Sequence, residues 1–273
     1  MKPGKCARAT AIIFWAALAG APVTLAGTFD VKSVDVDKGQ TEVETNNSFF
    51  RGYPVNADRL RTSHELALNH GFATWFKAGA KLNFDKPVDE EFRLATAGIE
   101  GQAVLKKFEG GLGIAWFTGL DFRIHRAETN SVTFGPVVQL GTEKTHLLLN
   151  PFLSKTFGRN REEGIDFNFA WAVKHELREG FAVGIEGYST LPNIADAPGR
   201  DFQEHRIGPV VYLERALSGA GHGGRSLSVK DIRSDSDGKQ AEGPKLALEL
   251  GVLFGLSEAS QDTTFKFKGG ISF

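Results

Sequence analysis

The chain has 273 residues, with 32 Lys and Arg against 33 Asp and Glu and a formal net charge of -1, a balance that gives no reason to expect a nucleic-acid partner. Its single cysteine, Cys6, stands in the charged first stretch, which leaves no pair for a disulfide and no Cys-based metal site. Twenty-two Phe and 32 Gly, one Met, and no apolar run long enough for a membrane helix beyond the start suit sheet better than helix.

Lys2, Lys5 and Arg8 open the chain without an acidic residue, and Ala9 to Ala21 follow as an apolar stretch. Thr24-Leu25-Ala26 then offers a small residue before a cut, so residues 1–26 are expected to be a secretory signal cleaved between Ala26 and Gly27. The alternative, a membrane anchor, needs about 20 apolar residues. Cleavage removes Cys6 and three positive charges, taking the formal net charge from -1 to -4.

Beyond the signal, period 2 dominates. Ile165, Phe167, Phe169, Trp171 and Val173 alternate with Asp166, Asn168, Ala170 and Ala172. Leu112, Ile114 and Trp116, Leu246 to Phe254, and Thr263 to Phe273 repeat the pattern. Successive strand residues point to opposite faces, so each segment has one apolar face and one polar or small face, whereas a helix would spread these residues around its circumference. Twelve strands are predicted, near 39–50, 60–69, 73–84, 93–106, 110–122, 132–142, 145–156, 165–176, 180–191, 204–215, 245–255 and 263–273. Each has about the length that crosses a bilayer at a tilt.

The connections alternate in length. Tight turns are expected at His70-Gly71, Lys107-Phe108-Glu109, Glu143-Lys144 and Arg178-Glu179-Gly180, and longer polar loops at 51–59, 85–92, 123–131, 157–164 and 192–203. That alternation predicts an all-β chain folded as a transmembrane antiparallel up-and-down barrel over residues 27–273. The polar stretch 216–244 falls by parity on the short-turn side and breaks the rule.

Periodicity does not say which face meets water, and a periplasmic β-protein with its apolar face inside fits the same pattern. A lipid-facing apolar side is favoured by the strand count, the signal and aromatics near strand ends: Phe49, Tyr53, Trp75, Phe84, Trp116, Phe122, Phe157, Phe181, Tyr188 and Tyr212.

The last strand, with Phe265, Phe267, Gly269, Ile271 and the terminal Phe273, resembles the closing segment of bacterial outer-membrane barrels. In those families the terminal aromatic is recognised by the barrel-assembly machinery. The resemblance implies a Gram-negative outer-membrane location, contact with outer-membrane lipid, and Phe265, Phe267, Ile271 and Phe273 as the assembly signature. In length and layout the chain is also similar to the small transporter barrels grouped with phenol-degradation pathway proteins.

Motifs for other chemistry are incomplete. Gly219 to Gly224 matches G-x-G-x-x-G, but Arg225, Ser226 and a polar loop follow where a dinucleotide site needs a helix. Asp231, Asp235, Asp237 and Gly238 hint at a calcium loop, yet Arg233 and Pro244 stand where ligands belong. None of His64, His70, His125, His146, His175, His205 or His222 is followed two residues later by Ser, and no Asp-x-His occurs. The base-nucleophile pairs that outer-membrane hydrolases place on one strand face are therefore missing. No enzyme activity, cofactor or metal is expected.

What remains is the polar face. Lumen-facing candidates are Glu42, Glu44, Arg61, Glu65, Lys77, Lys81, Glu100, Asp121, Arg123, Asp166, Lys174, Glu186, Arg206, Glu249, Lys266 and Lys268. The mixture of signs favours neither anions nor cations. It points to a passive channel or uptake pore for small solutes; the alternative is a non-conducting structural or surface-interaction barrel braced by ion pairs. Closure of the barrel pairs the last strand with the first, which sets Lys266 and Lys268 against Glu42 and Glu44 across the seam.

Overall fold

The computed structural model describes residues 29–52, 59–217 and 243–273. The expected signal peptide, Tyr53, the Gly219 to Gly224 run, His222 and the Asp231 to Gly238 run lie outside the described residues.

Twelve antiparallel strands close on themselves: β1 (Thr41–Arg51), β2 (Leu60–Ala73), β3 (Phe76–Pro87), β4 (Arg93–Lys106), β5 (Gly111–Arg123), β6 (Asn130–Gly141), β7 (Thr145–Phe157), β8 (Asp166–Arg178), β9 (Phe181–Leu191), β10 (Glu204–Ala216), β11 (Lys245–Gly255) and β12 (Thr263–Ser272). Each strand pairs with its sequence neighbours, and β12 pairs with β1, so no edge is left open. One end carries the longer connections and is called here the loop end. The other, the turn end, carries the tight turns and the base of the 217–244 connection, where the Leu217 amide donates to the Pro244 carbonyl.

The alternation resolves into an apolar outer face and a polar inner one. Leu66, Leu68, Ile99, Trp116, Ile185, Leu250 and Phe254 are exposed on the outside. Asn46, Ser63, Asn83, Gln102, Asn150 and Glu186 are buried inside. This is the reverse of a soluble barrel, whose apolar face fills the interior.

Three local readings need correction. The hairpin between β2 and β3 turns at Thr74-Trp75, not at His70-Gly71. Gly71 is glycine for another reason: a Cβ there would lie 2.0 Å from the Asp37 carbonyl oxygen, so its absence admits a second chain segment. Arg61 leaves the inner face because the β2–β3 register shifts between Leu60 and Thr62, which turns Leu60 inward and Arg61 out. Tyr188 and Tyr212 do not join the interfacial aromatics; both hydroxyls point inward to the buried Glu186 carboxylate, at 2.5 and 2.7 Å.

The seam closes in a different register from the one expected. Lys268 is opposite Asn46 and Lys266 opposite Ser48, while Glu44 and Glu42 face Gly270 and Ser272. Lys268 still reaches Glu44 diagonally at 2.8 Å. Lys266 turns away from the seam to Glu186 and Glu249.

Candidate functional site: the strapped lumen

Residues 29–40 precede β1 and run inside the barrel, from the turn end to beyond its middle. At the turn end, Gly39 donates to the Gly71 carbonyl and Gly71 to the Gln40 carbonyl. Deeper in, the segment meets strands from much of the barrel circumference. Asn150 of β7 holds the backbone of Lys32 in both directions, accepting from its amide at 2.7 Å and donating to its carbonyl at 3.0 Å. Gln102 of β4 donates to the Ser33 carbonyl, and Gln139 of β6 accepts from the Val34 amide. The amide side chains of the wall thus replace the ladder partners that this strap lacks.

The docking point is built by two prolines. Pro136 in β6 and Pro151 in β7 have no amide hydrogen to give, and the β6–β7 pairing stops between Phe134 opposite Leu153 and Val138 opposite Leu149. Asn150, Val137 and Phe152 sit in that gap. Val34 packs there against Ala115, Phe117, Val137 and Phe152, the one apolar cluster inside the described barrel.

The opposite wall is charged. Lys266 is 4% exposed and lies between Glu186, at 2.6 Å, and Glu249; Tyr188 and Tyr212 donate to the same Glu186. The strap reaches this side through Asp30, which pairs with Lys268 at 2.9 Å, and through Phe29, edge-on to Tyr188 and covered by the Arg206 guanidinium. Lys32 completes a bridge across the lumen, 3.4 Å from both Asp30 and Glu100 and over the Phe117 ring. A second set joins Lys81 to Asp121 and Glu65, at 3.3 and 3.7 Å. Gly98 makes room for it, since a Cβ there would meet Asp121 Oδ1 at 2.5 Å and the Lys81 stem at 3.0 Å.

The strap divides the lumen into a loop-side cavity of about 720 Å³ and a turn-side cavity of about 550 Å³, and Asp30, Lys32 and Glu100 line both. Glu65, Lys81, Asp121, Asp166 and Arg206 border the first. Glu42, Glu44, Lys77, Lys174, Glu186, Glu249 and Lys268 border the second. Lys266 is buried in the wall behind them. Arg123 borders neither; its guanidinium donates to the Arg126 carbonyl in the following loop.

Sequence reasoning missed Phe29, Asp30, Lys32, Val34, Gln139 and Asn150 as parts of this site. The strap is too short and too mixed to read as a strand, and a lone Asn-Pro in a strand reads only as a ladder defect.

By sequence, the chain matches no family model and no curated protein. Solved structures do resemble it. An outer-membrane channel from Pseudomonas putida F1 aligns with a TM-score of 0.56 and 11% identity, over 89% of this chain and 99% of that one. The NanC porin aligns with a TM-score of 0.50 and 10% identity, over 85% and 98%. At these identities the likeness is one of fold: a small, closed antiparallel barrel.

Proposed function

We propose that this protein is exported with loss of residues 1–26, inserts into the outer membrane, and acts there as a passive channel or uptake pore for small solutes. The observation that carries this reading is the polar interior: two cavities, one from each end, meet at Asp30, Lys32 and Glu100. An apolar outer face belongs in lipid and would aggregate in water. A polar lumen shaped by mid-strand charges suits passage of hydrated solutes. Phe265, Phe267, Ile271 and Phe273 all lie on the outward face, where the assembly machinery can read them.

The bridge from Lys268 through Asp30 and Lys32 to Glu100 favours a second reading, a barrel held shut as a structural or surface-interaction protein. Single-channel recording of the purified mature protein in planar bilayers decides between the two. Stepwise conductance is expected; its absence across salts and voltages would favour the closed barrel. Cell fractionation with N-terminal sequencing tests the location: Gly27 at the start of outer-membrane material is expected, and recovery in soluble periplasm would overturn the assignment.

A further inference from the structure

We infer that the lumen selects for cations. The inference rests on the channel reading above and supplies the solute class that reading leaves open. Along the sequence, acids and bases mix on the polar face, but the fold gathers them unequally. Among the described residues, eleven acids and five bases line the loop-side cavity, and ten acids and four bases line the turn-side cavity. The acids that belong to both keep the excess continuous past the strap.

Pairing sharpens the imbalance. On the loop side Lys32, Lys81, Arg93 and Arg206 are each engaged by a carboxylate. Asp85, Asp89 and Asp166 make no ion pair among the described residues, and neither does Glu42 on the turn side. On the turn side Lys268 is likewise paired, while Lys77 and Lys174 make no ion pair among the described residues; acids still outnumber bases there, and the remaining field is negative. Low-dielectric walls focus such a field along a narrow bore, and acid-lined pores favour cations.

A second observation is independent of the charge count. Asn83 is 2% exposed and lines the loop-side cavity. Its Nδ2 donates to Thr96 Oγ1 at 2.8 Å and to Asp121 Oδ1 at 3.3 Å, which leaves Oδ1 buried without a donor. Turning the amide over would set that oxygen against the Asp121 carboxylate, so the neighbours fix its orientation. An orphaned acceptor beside the Glu65 and Asp121 carboxylates stabilises a positive group; Lys81, tethered between those carboxylates, already supplies one to them.

The test is the reversal potential in a KCl gradient, measured on the native mature protein and on a variant lacking residues 29–36, whose wall acids remain. Assembly of each is checked by heat-modifiable migration. Both are expected to pass K⁺ several-fold better than Cl⁻. The preference should weaken as salt rises, because the screening length falls from about 10 Å at 0.1 M to about 3 Å at 1 M. Asp85→Asn, Asp89→Asn and Asp166→Asn together should lower the K⁺ preference while conductance steps persist. Conductance with no preference, or with preference for Cl⁻, overturns the inference and leaves the channel reading standing. Absence of conductance in the native protein overturns the channel reading, and the strap-less variant then still reports the selectivity of the wall.

Discussion

The two sides of the lumen hold the same strap by different physics. Toward β5, β6 and β7 the wall offers Phe117, Val137 and Phe152 to Val34, with Asn150 and Gln139 taking the strap backbone. Toward β9 to β12 it offers Lys268 to Asp30, and Tyr188 and Arg206 to Phe29. Apolar contact is non-directional and is not weakened by ionic screening, whereas the ion pairs depend on geometry and lose strength when screened. The apolar side therefore anchors the strap, and the charged side sets where Phe29 and Asp30 come to rest.

The largest effect should come from the charged wall itself. Lys266→Met removes the one cation that pairs with Glu186 and Glu249 among the described residues, and an uncompensated buried charge costs about 3–5 kcal/mol. A sharp fall in the thermal midpoint in detergent is expected, with partial recovery when Glu186→Gln and Glu249→Gln are added. An unchanged midpoint would mean that water already compensates these carboxylates.

Gly71→Ala probes the anchor at its exit. A methyl 2.0 Å from the Asp37 carbonyl must push the strap or bend β2, a strain of roughly 1–3 kcal/mol. Increased protease sensitivity before residue 41, with the barrel still resistant, is the expected pattern. Asn150→Ala acts deeper, removing both hydrogen bonds to Lys32, each worth about 1 kcal/mol net. Its expected signature is more frequent or larger conductance steps with little change in barrel melting. Equal loss of barrel stability would show that Asn150 braces the wall, not the strap.

The smallest effect lies at the seam. Glu44→Gln removes the diagonal contact with Lys268 while leaving its pair with Asp30, and should cost roughly 0.2–1 kcal/mol. No measurable loss in a melting experiment would show that Asp30, not Glu44, is the partner that matters.

How much of this was legible in the sequence varies by element. The β4, β7, β9, β10 and β11 segments could be read within a residue or two, because one apolar and one polar face leave a single register that avoids burying charge in lipid. Bulges defeat that reading: one extra residue near Leu60 flips Arg61, and nothing in Leu-Arg-Thr marks it. Glycine misleads for a related reason. His70-Gly71 looks like a turn, but the missing Cβ serves a neighbour more than thirty residues earlier in the chain.

By itself the sequence determined the strand count, the alternation of faces and the end at which each connection lies, since these follow from local period and from the need to pair every backbone group. Tertiary structure alone decided the rest. Lys266 chose Glu186 over the seam because closure set the stagger between distant strands. The strap chose its path because paired prolines opened the ladder beside an apolar patch. The excess of acids appeared only when the lining side chains were brought around a single bore. Contacts between segments far apart in the chain depend on curvature and register, and no local pattern records either.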